Sequence, residues 1–580
     1  MLRGSGLIVA VALTLAACGG GGANNQASGG GGGSAAPKAG GTIYVLSQNE
    51  QWDQIDPQRA YTGEDLAFFG GTIYRGLTSY KFSADAKEGT SIVPDMATDT
   101  GTHNADATEW KFTLRDGVTW QDGSPVTCDD VKYGVSRTFA TDVINQGPTY
   151  AIAYLNIPAD AKGASMYKGP YKKTGQDLFD KAVTCDGKTI TFKLNKAVPD
   201  FNYTMTLGFY AVPKAADTGE TYGQPGHLPV SDGPYMVESY STGNGGKFIL
   251  VRNPKWDPKS DPVRKAYPDK WEVDFGIDPK VMDQRLMASN GNDKFAVQYG
   301  NIQTENLATI FQDQEHTTPQ FAGRAVSGFD PYSRYLWIDV NKVKNVKIRQ
   351  ALAVALDRAA MRLNIGGAFA GTYADGVIKP NIGQDYANTG FWDTLLGQKV
   401  PENGDPDFAK KLISESGQAA PTLTYDFPDT PTRGKEAAII ISSLGKAGVK
   451  VKANPIESGQ YYSVAFDPEK AHEMGWGGWG ADWPNASTVI PPLFTVKGGW
   501  DLSKLDDAAF NQKVEAAQVE LDRAKQSTMW QDLNKEAAQN VFVIPTFFGL
   551  SQTLAGTKVG PIYRWPAYGS WPYGEMYVKS

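Results

Sequence analysis

Residues Trp110-Lys-Phe-Thr-Leu-Arg115-Asp-Gly-Val-Thr-Trp-Gln-Asp-Gly123, followed by Thr127-Cys-Asp-Asp130-Val131, place a strand, a turn and a helix start in one short span. Trp110 to Leu114 alternates apolar and polar residues, the period of a half-buried strand. Arg115-Asp-Gly supplies turn chemistry. Thr127 with Asp130 three residues later makes a capping box, and Val131, Val135 and Phe139 continue at helical spacing. The span therefore reads as mixed α/β structure.

The same grammar extends outward. Gly41–Ser47, Thr189–Leu194 and Lys247–Arg252 read as strands, the last closed by Asn253-Pro254. The second half is more helical: Val346, Arg349, Leu352, Leu356, Ala360 and Leu363 fall on one stripe, as do Ala437, Ile440, Ile441 and Leu444. Phe510, Val514, Ala517 and Leu521 form a third, and Trp530, Leu533 and Ala537 a fourth. Such stripes are core faces. The chain from Gly41 to Ser580 exceeds the size at which one core stops growing, so two or three domains are expected.

The amino terminus carries Arg3, an apolar run Leu7–Ala17 and then Cys18, the three parts of a secretory signal; the run is too short to span a bilayer. Leu15-Ala16-Ala17-Cys18 resembles a bacterial lipobox, which implies lipidation of Cys18 after removal of a signal peptide at 1–17; the alternative is an ordinary signal cut near Ala17. Residues 18–40 then form a Gly-rich tether, too poor in apolar side chains to fold. This places the protein outside the cell, at the outer face of the cytoplasmic membrane. A net charge of −7 argues against nucleic acid and anionic lipid as partners.

Beyond Cys18 the cysteines are Cys128 and Cys185. In an oxidising compartment the pair is read as a structural disulfide rather than a metal site, because no CxxC is present and His is not nearby. The four histidines, His103, His227, His316 and His472, are scattered, and no HExxH, GxSxG or P-loop occurs, so no enzyme centre, cofactor or metal is expected. Gly475-Trp-Gly-Gly-Trp-Gly480 fits GxGxxG, but Asp482-Trp483-Pro484 follows where a dinucleotide fold needs a helix. What stands out instead is Trp476-Gly-Gly-Trp479-Gly-Ala-Asp482-Trp483: three rings, small spacers and one carboxylate, either an aromatic ligand wall with an anionic point or a packed core strand.

An ordered series of blocks resembles the family-5 extracellular solute-binding proteins of peptide-type ABC importers. The blocks are Asp56-Pro57, Ile73-Tyr-Arg-Gly-Leu77, Val93-Pro-Asp-Met-Ala97, Trp110–Gly123 with Asp129-Asp-Val131, Asp232-Gly-Pro-Tyr235, Arg252-Asn-Pro254, Val346-Lys-Ile-Arg-Gln-Ala-Leu352 with Asp357-Arg358, and Trp479-Gly-Ala-Asp482. The resemblance implies a two-lobed, periplasmic-binding-protein-like α/β fold with an inserted domain and a hinge. Lobe I would comprise 41–66, 205–330 and 546–580, the inserted domain 67–204 and lobe II 331–545.

It also implies a monomer that hands an oligopeptide to permease subunits driven by cytoplasmic ATPases. The ligand would lie between Tyr61-Thr62-Gly63 and Gly478-Trp479-Gly480 as an added strand. Asp482 would pair with its α-ammonium, with Trp476 and Trp483 among the lining rings. Some oligopeptide binders carry Arg where this chain has Trp476, so no anchor for the ligand's carboxylate is assigned. Rival readings are a binder of another solute such as oligosaccharides, an anchored extracellular hydrolase, and a receptor for peptide signals.

Overall fold

The computed structural model describes residues 37–580 except 459 and 497, so the signal segment, Cys18 and the tether up to residue 36 lie outside the described residues. Among the described residues no helix is long and apolar enough to cross a membrane.

Trp110 and its neighbours form an inner strand of a four-stranded sheet ordered Thr102–His103, Glu109–Thr113, Thr189–Lys193, Val183–Asp186. Trp110 and Phe112 stand opposite Phe192 and Ile190 in its antiparallel ladder, and all four are buried. The helix Cys128–Arg137 packs on this core through Val131 and Val135. Its capping box is formed: Thr127 Oγ1 accepts from the Asp130 amide at 3.2 Å, and Asp130 Oδ2 accepts from the Thr127 amide at 2.9 Å. Cys128 and Cys185 are joined in a disulfide with their Cα atoms 5.9 Å apart, tying the first turn of that helix to the edge strand Val183–Asp186.

A second sheet has five strands in the order Ala296–Tyr299, Thr42–Ser47, Lys270–Asp274, Lys247–Arg252, Tyr235–Tyr240. Thr42–Ser47 runs parallel to both neighbours and sits inside the sheet, which explains its Val45-Leu46 core. Rings of Trp52, Phe68, Phe69, Phe248 and Trp271 pack against one another on it. The third sheet has six strands, Gly371–Tyr373, Val543–Leu554, Ala325–Ile338, Met474–Gly480, Thr422–Pro428 and Lys450–Ile456.

Two strands of this third sheet, Ala325–Ile338 and Val543–Leu554, are long enough to reach the five-stranded sheet, where the Leu554 amide donates to Gln298 Oε1 and Val297 bridges Ala555. Their antiparallel pairing breaks between Phe329 and Ser333. At the break Lys379, only 2% exposed, shares its three ammonium protons among the Asp330 carbonyl at 2.6 Å, Asp330 Oδ1 at 2.7 Å, the Tyr332 carbonyl at 2.9 Å and the Gly549 carbonyl at 3.0 Å. One cation thus replaces the ladder bonds that the bulge removes.

Two of the expected helical stripes need correction. The stripe from Val346 to Leu363 is not one helix: Val346–Val354 ends, and Asp357 caps a new helix, Arg358–Asn364, by accepting from the Ala360 amide. The chain turns there, and Leu363 ends 76% exposed. Leu521 falls past the helix Ala508–Val519 and is also exposed, whereas Phe510, Val514 and Ala517 are buried as expected.

A candidate ligand cavity around Asp482

Met474–Gly480 lies inside the six-stranded sheet, paired along its length with Ala325–Ile338. Its glycines follow from that register. Gly475 and Gly477 stand opposite Trp337 and Tyr335, and a Cβ at either would come within 2.3 and 2.4 Å of those rings. On its other edge the strand pairs with Thr422–Pro428 only through Met474 and Gly475. Beyond them side chains take the edge carbonyls: Tyr461 donates to the Trp476 carbonyl at 2.5 Å, and Trp500 Nε1 to the Gly478 carbonyl at 3.1 Å. An added ligand strand therefore finds these two acceptors already engaged.

The chain leaves this strand and delivers Asp482 into a cavity of about 710 Å³. Tyr61 and Trp479 line the same cavity, so three residues expected at the site meet there. The other expected residues are placed differently. Trp476 lies under the Arg433 guanidinium, 4.2 Å from the ring centroid. Trp483 is buried, donates its Nε1 to Asp200 Oδ2 at 2.8 Å and packs edge-on to Tyr150. Thr62 precedes the helix Gly63–Thr72 and uses its carbonyl to accept from Leu66, while Gly63 is the first residue of that helix. Gly478 and Gly480 stay in the ladder opposite Arg334 and Tyr332.

Besides a wall from Pro491, Pro492, Thr495 and the helix Ala508–Val519, none of which the sequence assigns to the site, a second wall goes unsignalled. It comes from the short helix Tyr150–Tyr154 and the segment Lys196–Asp200, both within the span expected as an inserted domain. Tyr150 and Tyr154 are one helical turn apart, a spacing visible in the sequence, but nothing local signals that they face residue 482. Both phenols, Tyr61 and Tyr150, donate to the Asp482 carboxylate, Tyr61 to Oδ1 at 2.6 Å and Tyr150 to Oδ2. Asp200 anchors the neighbouring corner, accepting from Trp483 and from Ser487 Oγ at 2.5 Å. Trp479 is fixed by its Nε1 bond to the Thr488 carbonyl at 2.6 Å and by Trp500, 5.2 Å away ring to ring.

Burial raises the Asp482 pKa above the ordinary carboxylate range, and the hydrogen bonds from Tyr150 and Tyr61 act in the opposite sense. Burial also raises both phenols, and the carboxylate beside them adds to the rise, so they remain donors. The cavity is thus a ring-lined chamber with a carboxylate held by two neutral donors, suited to a ligand that brings a cation.

The chain matches the family described as bacterial extracellular solute-binding proteins, family 5 Middle, over residues 91–501. It belongs to the family-5 extracellular solute-binding proteins. The periplasmic oligopeptide-binding protein OppA of Salmonella typhimurium is 24% identical over 499 residues, 82% of each chain. The dipeptide-binding protein of Escherichia coli is 22% identical over 508 residues, 82% of this chain and 83% of the relative. Among solved structures, clavulanic acid biosynthesis oligopeptide binding protein 2 superposes with a TM-score of 0.81 at 26% identity, covering 94% of this chain and 96% of the other. The solved relatives share the α/β, periplasmic-binding-protein-like fold expected from the sequence. Members of this family bind solutes rather than transform them.

Proposed function

We propose that this family-5 protein is the substrate-binding component of an ABC importer, that its ligands are peptides with a free amino terminus, and that Asp482 receives the ammonium. The observation that carries the reading is the Asp482 carboxylate in a cavity lined by Tyr61, Tyr150, Tyr154 and Trp479, its two phenol donors leaving negative charge for a ligand to neutralise. The names of the relatives, oligopeptide- and dipeptide-binding proteins, agree with it. In this reading Tyr61 belongs to lobe I (41–66, 205–330, 546–580), Tyr150 to the inserted domain (67–204) and Asp482 to lobe II (331–545), with the long strands Ala325–Ile338 and Val543–Leu554 carrying the hinge. The engaged carbonyls of Trp476 and Gly478 shift the weight of recognition from main-chain addition to the Asp482 end. The protein works as a monomer anchored through lipidated Cys18 and a tether to residue 40, performs no chemistry, and delivers its ligand to the permease and its ATPases.

Calorimetry with a free and an N-acetylated peptide, on the wild type and on Asp482→Asn, tests this. Breaking a buried charge pair costs about 3–5 kcal/mol. The free peptide should therefore lose roughly 100-fold to several thousand-fold in affinity, while the acetylated one binds weakly to both proteins. Equal losses for the two peptides would make Asp482 structural. If the wild type binds no peptide, the peptide reading fails.

A further inference from the structure

Asp482 does not stand alone in its cavity. Its two oxygens are claimed by phenols from different parts of the chain: Tyr61, which precedes the helix Gly63–Thr72, and Tyr150, which opens the helix Tyr150–Tyr154. Tyr61 is 42% exposed, whereas Tyr150 is pinned between Trp483 at 4.7 Å and Tyr154 at 5.6 Å. A carboxylate has about four lone-pair sites, and two phenols leave two for a ligand. We propose that Tyr61 and Tyr150 are positioning residues that hold Asp482 as an aimed anion, so that the ligand's ammonium is selected by a carboxylate set from both sides of the cavity.

A buried carboxylate without donors takes up a proton instead of staying charged, and a neutral acid has little attraction for an ammonium. The phenols are the counterweight: their hydrogen bonds pull the Asp482 pKa down against burial, which pushes it up. Both bonds run from a phenol to a carboxylate and are charge-assisted, the stronger class of hydrogen bond. The other ionisable groups lining the cavity are Tyr154 on the same helix, Lys196 and Asp200 on the adjoining segment, and Glu515 on the helix Ala508–Val519. Asp200 is itself raised by burial and is tied to Trp483 and Ser487, and Lys196 lies 5.3 Å over the Tyr154 ring. Among the described residues the hydrogen bonds on the Asp482 oxygens are those of Tyr61 and Tyr150.

The inference rests on the peptide reading above, and the experiment separates the two. Affinity for tri-alanine and for its N-acetylated form is measured by calorimetry from pH 4.5 to about 7, where a free α-amine of pKa near 8 stays mostly charged. The proteins are the wild type, Tyr61→Phe, Tyr150→Phe and the double variant, each checked by thermal melting. Affinity for the free peptide should fall as pH falls through the Asp482 titration. Each Phe substitution, by removing a donor to the anion, should move that fall upward by about one pH unit, and the double variant further. The acetylated peptide should show no such limb. Curves that stay parallel to the wild type, or are flat in all four proteins, overturn the proposal, because a merely structural phenol lowers affinity equally at every pH. A wild type that binds neither peptide, or both equally, defeats the peptide reading itself. Either single variant suffices if the other fails to fold.

Discussion

Gly477 and Gly478 are neighbours in one strand and face opposite demands. A Cβ on Gly477 would lie 2.4 Å from the Tyr335 ring, which is buried with no room to retreat, whereas the nearest atom to a Cβ on Gly478 is 3.6 Å away. Gly477→Ala should cost about 1–3 kcal/mol through overpacking. Gly478→Ala should stay within about 0.5 kcal/mol of the wild type. Chemical denaturation of the two variants measures the contrast, and equal effects would show that the Tyr335 ring does not dictate Gly477. In the fold Gly475 and Gly477 make room for rings of the adjacent strand.

At the scale of elements, the long strands Ala325–Ile338 and Val543–Leu554 are held at their bulge by one ammonium. Burial pushes the Lys379 pKa down to about 8, yet Asp330 and three carbonyls oppose the loss of its proton. Lys379→Met keeps the length of the side chain and removes the cation from those acceptors, leaving Asp330 with the Arg334 guanidinium and the Tyr332 amide as partners. The expected loss is about 3–5 kcal/mol, read as a lower midpoint in denaturant. A variant as stable as the wild type would show that water satisfies the bulge. The disulfide makes a second element-scale prediction. Cys128 and Cys185 close a loop of 57 residues, so replacing both with Ala should cost about 4 kcal/mol by loop entropy. Melting the variant with and without reductant checks it, since only the wild type should respond to reduction.

For the whole molecule, buried carboxylates set the pH response. Burial pushes Asp65 and Asp232 up to about 7, and Asp375 and Asp501 up to about 6. An Asp raised above its unfolded value near 3.9 binds its proton more tightly when folded; its stabilisation is complete below that value and is lost as pH rises through 6 to 7. Asp261 behaves oppositely: burial raises it, but Arg264 and Arg75 outweigh burial and hold it down to about 2. Its contribution is present above about pH 4 and is lost as pH falls toward 2. The melting temperature should therefore be higher at pH 5 than at pH 8 and should drop below pH 4. Asp65→Asn should flatten part of the slope between pH 5 and 8, and an unchanged slope would remove Asp65 from the account.

The local elements were legible in the sequence because their causes are local. Alternation at Trp110–Leu114, the Thr127–Asp130 box and the spacing of Trp530, Leu533 and Ala537 act within a few residues, and the structure repeats them. The family was legible too, because ordered motifs carry it along the chain. The break at Asp357 was not, since a cap competes with a continuous stripe and tertiary packing decides between them. Nor was the wall of the cavity. Tyr150 and Asp482 are 332 residues apart in the chain, and no periodicity encodes a hydrogen bond across that distance. Composition and motif could name the carboxylate; only the folded chain could bring two phenols to it, because a buried charge takes its partners from whatever elements packing sets beside it.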